Sequence, residues 1–147
     1  MKRGQIKKIE AHLFNLKHYK VAIRNLQKQL DYIMPNITAN YSIEGGGGGV
    51  FKVSSTTERA AIDRIESRRA LNIHEEIQRY TLLIDCMNES LDILTDQERE
   101  FIQLRYIQEK PMIEVSEYLD YSVPHMYRLR DQALSKLALS LSAVVEL

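Results

Sequence analysis

An all-α fold is predicted, a long helical hairpin or coiled arm followed by a C-terminal helix-turn-helix lobe. Three observations carry it. A stretch before the glycine run Gly45–Gly49 and a longer one after it place apolar residues at the three- and four-residue spacing of one helical face. Beyond Thr95 the chain then breaks into short amphipathic pieces with turn and cap residues between them.

In the first stretch Ile6, Ile9, Leu13, Leu16, Ile23 and Leu30 form a helical stripe, widened by Val21, Leu26 and Ile33. Lys20 and Gln27 fall on the seam, so the heptad is imperfect. Pro35 is expected to end this helix, because proline lacks a backbone donor and disfavours helix in the residue before it. Five consecutive glycines cost too much entropy in a helix or strand, so a flexible connector is expected around them. A phosphate-binding loop is the sharper reading of a glycine run. The Lys-Ser/Thr pair that such a loop needs does not follow the glycines, and Lys52 is misplaced for it.

The second long helix opens at Ser55-x-x-Glu58, a capping-box pattern. After Ile62, Ile65 and Ala70, the residues Ile73, Ile77, Tyr80, Ile84, Met87, Leu91 and Leu94 follow the alternating 4-3 spacing of a heptad seam. That seam can pack against the first helix or against a second copy, giving a homo-oligomer. The organisation expected is therefore a basic helix over residues 1–34, a Gly-rich connector over 35–54, a heptad-bearing helix over 55–93 and a separate helix-turn-helix lobe over 94–147.

In that lobe Thr95 is the expected N-cap, with Asp96 and Glu98 in the first turn, where the helix dipole favours acids. Phe101, Ile102, Leu104, Arg105, Tyr106 and Ile107 finish the helix, and Pro111 restarts the chain. Ile113, Val115, Tyr118 and Leu119 form a short helix. Asp120-Tyr121-Ser122 makes a tight turn, and Ser122 caps a last helix with Met126, Leu129, Ala133, Leu134, Leu137 and Leu141 inside. Val115, Leu119, Tyr121, Met126 and Leu129 are the expected core under the turn. Two short helices crossing over such a core, with an exposed N-terminal half on the second, match the motif that inserts a helix into the major groove. The outer set is Val123, Pro124, His125, Tyr127, Arg128 and Asp131. His125, Tyr127 and Arg128 can hydrogen-bond bases or phosphates, and Val123 can meet a thymine methyl. Arg130 and Lys136 are expected on phosphates.

The pattern Leu94-Thr95-x-x-Glu98-Arg99-x-Phe101-Ile102-x-Leu104-Arg105-Tyr106, with Glu114 to Leu119, Tyr121-Ser122, Met126 to Arg130 and Ala133-Leu134-x-Lys136-Leu137, resembles region 4 of bacterial sigma factors. The resemblance implies a module that reads promoter DNA and can contact host RNA polymerase. Ser54-Ser55-x-Thr57-Glu58-x-Ala60-Ala61-Ile62 before a long helix, after a helical start and a Gly/Ser-rich connector, is similar to phage late-gene transcription regulators of the ArpU/RinA type. That likeness implies a phage or prophage activator of late genes. Val123 and Pro124 stand where sigma region 4 usually offers charged residues, and Asp120 where it often has glycine. These departures imply a different sequence preference on the same fold.

The formal net charge is zero, yet residues 1–31 carry +6, residues 55–93 carry −3, residues 94–120 carry −4 and residues 121–147 carry +1. Double-stranded DNA would be held locally rather than by whole-surface attraction. No apolar run approaches the roughly 20 residues that span a bilayer, so no membrane partner is expected. The single cysteine, Cys86, has no disulfide partner and suits a cytoplasmic protein. His12 and His18 lie off the spacing of a helical metal pair, and no nucleophile–base set is evident, so neither metal, cofactor nor enzymatic activity is expected. The alternative readings are a DNA-packaging protein like a terminase small subunit, or a helical protein-interaction protein.

Overall fold

A computed structural model describes the backbone of residues 2–42 and 56–145 and the side chains of residues 2–33 and 58–145. It is all-α. Among the described residues five α-helices follow one another: α1 (Arg3–Ser42), α2 (Thr56–Asp92), α3 (Asp96–Ile102, continued by a π-helical turn Gln103–Ile107), α4 (Met112–Leu119) and α5 (Val123–Leu141). No strand occurs among the described residues. The run Gly45–Gly49 and the Ser55 cap lie outside the described residues.

Two expectations are corrected at this level. The helix α1 passes through Pro35 and ends only at Ser42. Proline forfeits its own backbone bond and crowds the carbonyl four residues earlier, that of Asp31. Asp31 is exposed, so solvent can satisfy that carbonyl and one bond is lost rather than the helix. The C-terminal helices are also not a lobe of their own. The chain divides into one compact unit built from residues 1–20 and 81–147 and a second built from residues 21–80.

The first unit has a continuous core. Ile9, Leu13 and Leu16 of α1, Ile84 and Met87 of α2, Phe101, Ile102, Leu104 and Tyr106 after the Thr95 cap, and Val115 of α4 are all buried. From α5 the buried set is Met126, Leu129, Ala133, Leu134, Leu137 and Leu141, the whole inner stripe read from the sequence. The tie between α1 and the segment after α3 is specific. Tyr106 donates its hydroxyl to Glu10 Oε1 at 2.8 Å, and its ring meets Phe14 edge-on at 5.0 Å between centroids. Lys17 pairs with Glu109 at 3.0 Å, an exposed contact of little energetic weight.

Local rules set the ends of these helices. Thr95 accepts from the Glu98 N–H, and Glu98 accepts from the Thr95 N–H at 3.0 Å, a complete capping box. After α3 the backbone widens, and Gln108 N–H reaches the Gln103 carbonyl at 2.9 Å, five residues back. The turn ends on Glu109, which takes a left-handed φ of 56°.

Along α2 the heptad seam is the less exposed side. Ile84, Met87 and Leu94 are buried, while Ile73, Ile77, Tyr80 and Leu91 are partly so. Ile62 and Ile65, earlier on the helix, are exposed. The Ile84→Ala variant should therefore lose about 2–3 kcal/mol, the lower part of the range for a buried aliphatic truncation, because Ile84 keeps a sliver of exposure. Chemical unfolding measures it, and an unchanged midpoint would place the stripe in solvent.

In the second unit Ile33 and Ala70 are buried. Lys28, Gln29, Tyr32 and Ile33 of α1 line a surface depression together with Arg69 of α2.

Candidate nucleic-acid interface

The α4–α5 corner is built by a left-handed residue and a cap. Asp120 sits at φ 60° and ψ 45°, a conformation its short polar side chain tolerates better than most. Tyr121 N–H then reaches back to the Ser116 carbonyl at 3.1 Å, closing the end of α4. Ser122 is extended, and its hydroxyl accepts from the His125 N–H at 3.4 Å, opening α5. Pro124 falls in the first turn, where its missing donor costs nothing. Val115 and Met126, neither of them accessible, lock the two helices beneath the corner.

This arrangement exposes an arc of α5. Pro124, Tyr127, Arg128 and Asp131 face solvent, with Val123 and His125 half-buried at the edge. The expected outer set thus shares one side of the helix. Arg128 makes no ion pair with any described residue.

Three residues depart from expectation. Tyr121 is not core: it is 48% exposed and its ring stacks on His125 at 4.6 Å. The ring of a tyrosine suits such an edge because its hydroxyl stays wet while its face is covered. Arg130 is not a free phosphate ligand. Its Nε and Nη2 bond Asp131 at 3.1 and 2.9 Å, and its guanidinium lies 5.1 Å from the Tyr127 ring centre. Burial works against its charge, but Asp131, backed by Glu10 and Tyr106, holds its pKa above the ordinary arginine value. Lys136 is likewise committed, its ammonium 2.9 Å from both Glu98 oxygens. The Arg130 partner is its neighbour along α5, whereas the Lys136 partner is 38 residues away and invisible in the spacing along α5.

The neighbouring helix α4 also exposes aromatic and apolar groups. Ile113 and Tyr118 are 63% and 64% exposed, and Lys110 lies 5.4 Å from the Tyr118 ring centre. The exposed acids Glu114, Glu117 and Asp120 stand on the same helix and turn. The local field around the corner is therefore acidic, with Arg128 as the uncommitted cation of α5.

Residues 7–138 match the family described as "Protein of unknown function (DUF722)". The chain belongs to the DUF722 family. No curated protein matches it, and no solved structure does. The family match takes in α1, α2 and the α4–α5 corner, so the corner is part of the DUF722 pattern rather than an appended module. Among the described residues no His, Cys, Asp and Glu cluster could hold a metal ion. No described helix is long and apolar enough to cross a membrane.

Proposed function

We propose that this DUF722 protein is a sequence-specific DNA-binding transcription regulator that reads the major groove with the N-terminal half of α5. The observation that carries the reading is the corner itself. The short α4 joins the longer α5 through the left-handed Asp120, Ser122 caps α5, and Tyr127 and Arg128 project from its first two turns. The likeness to sigma region 4 and to ArpU/RinA regulators supports a role as a phage or prophage activator of late genes, with host RNA polymerase as a further partner.

Arg128 is the residue of α5 free to make a bidentate contact with guanine, worth about 1–3 kcal/mol of discrimination. Arg128→Ala is expected to weaken binding to a preferred duplex and to relax preference at one base position. Binding isotherms on preferred and scrambled duplexes test this. An equal loss on both would reduce Arg128 to a phosphate contact, and no loss on either would remove α5 from the interface.

A protein-contact reading has its own observation. The exposed Ile113 and Tyr118 beside Glu114 and Glu117 form an apolar and acidic face on α4, which suits a protein better than a phosphate backbone. The same isotherms separate the two, since a protein-contact module binds no duplex.

A further inference from the structure

The α5 surface leaves an electrostatic deficit. A duplex carries a phosphate charge about every 1.7 Å of axis, and affinity at physiological salt depends on how many of those charges cations neutralise. Of the three cations on α5, Arg130 is bound to Asp131 and Lys136 to Glu98, while α4 and the turn after it carry the exposed acids Glu114, Glu117 and Asp120. If α5 reads bases, most of the phosphate neutralisation has to come from another part of the chain.

The second unit carries a surface suited to it. Arg64 and Arg68 are one helical turn apart on α2 and so share a face. Together with Arg69 they line a surface depression that Ala61, Ile65 and Asn72 also border. Arg69 also borders the neighbouring depression, where Lys28 comes from α1. All four cations are exposed, and none forms an ion pair with a described residue. The acids nearest in sequence, Asp63, Glu66 and Asp31, form no ion pair with any of these four cations. Four cations without an ion pair among the described residues, around two adjoining depressions, repel one another, an arrangement relieved by an anionic partner. Three of them are arginines, whose planar fork matches phosphate oxygens in pairs.

We infer that Lys28, Arg64, Arg68 and Arg69 form a second, sequence-independent contact that binds the phosphate backbone of double-stranded DNA. This rests on the DNA-binding reading of α5 and supplies the neutralising charge that α5 lacks. The patch adds affinity to every duplex equally, and the base preference stays with α5.

The test uses the full chain carrying Arg64→Gln, Arg68→Gln and Arg69→Gln together, and separately Lys28→Gln. Because all four side chains are exposed, both variants should keep the wild-type circular dichroism and melting behaviour. Affinity is measured at several salt concentrations on a random-sequence duplex and on one selected by the wild type. The triple variant should lower the salt slope by about 2–3 and Lys28→Gln by about 1, at about 0.9 per phosphate, with the ratio between the two duplexes unchanged. A wild-type slope in the triple variant, with the wild type binding DNA, overturns the patch and leaves the α5 reading standing. The same holds if the slope is unchanged and the variant instead alters the mass in solution, which would make these cations a protein interface. Failure of the wild type to bind any duplex overturns both.

Discussion

Replacing Tyr106 by alanine is expected to cost about 3–5 kcal/mol of folding stability, the range for deleting a buried aromatic. Tyr106 is 1% exposed and sits where three elements of the first unit meet. Its ring contacts Phe14 of α1 and lies edge-on to Phe101 at 6.2 Å, with the Arg105 guanidinium 5.8 Å from its centre. Its hydroxyl donates to Glu10. Burial, then that hydrogen bond to a carboxylate, raises its pKa far above the ordinary phenol value, so it stays a donor at any physiological pH. Removing the side chain opens a cavity and strips Glu10 of its donor. Tyr106→Phe keeps the ring and should cost less, about 1.5–3 kcal/mol, the range for one hydrogen bond to a charged group. Denaturant unfolding of both variants gives the two figures. Equal, small losses would mean that α1 does not pack on the segment after α3.

Replacing Glu98 by alanine is expected to cost about 2–4 kcal/mol, from the loss of a cap, a partly buried ion pair and the volume of the side chain. The Glu98 side chain is 4% exposed and bonds both the Thr95 N–H at the start of α3 and Lys136 midway along α5. It thus fastens α3 to the helix proposed to enter DNA. Burial alone would raise its pKa; the hydrogen bond and charge of Lys136 and the Thr95 N–H outweigh burial and leave it below the usual carboxylate value. Such a depressed folded pKa gives stability that is fully present above the unfolded value, about 4.3, and lost as pH falls through the folded value. Glu98→Gln can still cap Thr95 but carries no charge, so it should lose less than the alanine variant and lack this acid-range decline. Thermal unfolding from pH 7 down to pH 2 checks it. A wild-type decline retained in Glu98→Gln would assign it to other carboxylates.

What the sequence made legible was governed by near neighbours. Thr95 with Glu98, Asp120 in its left-handed turn, Ser122 before Pro124 and the inner stripe from Met126 to Leu141 each follow from the chemistry of residues within a turn or two. The misjudged features depend on distant partners or on small balances. Pro35 could stay within α1 because a proline costs one exposed backbone bond, not a helix. Nothing local marked the widened turn at Gln103–Ile107. The contact of Tyr106 with Glu10 spans most of the chain, so the first helix was assigned to an arm rather than to the same compact unit as the corner.

The candidate site divides in the same way. Helical angles alone identified the outer arc with Tyr127 and Arg128. They could not reveal that Lys136 belongs to Glu98, 38 residues earlier. Spacing alone puts Tyr121 in the core under the turn, but the corner leaves it exposed and stacked on His125.

The central claim, that the α4–α5 corner reads DNA sequence, is tested most directly by selecting bound duplexes from a randomised pool with the full-length protein. The wild type is expected to enrich one short motif, and Arg128→Ala to enrich the same motif with preference relaxed at a single base position. No enriched sequence with the wild type would contradict it.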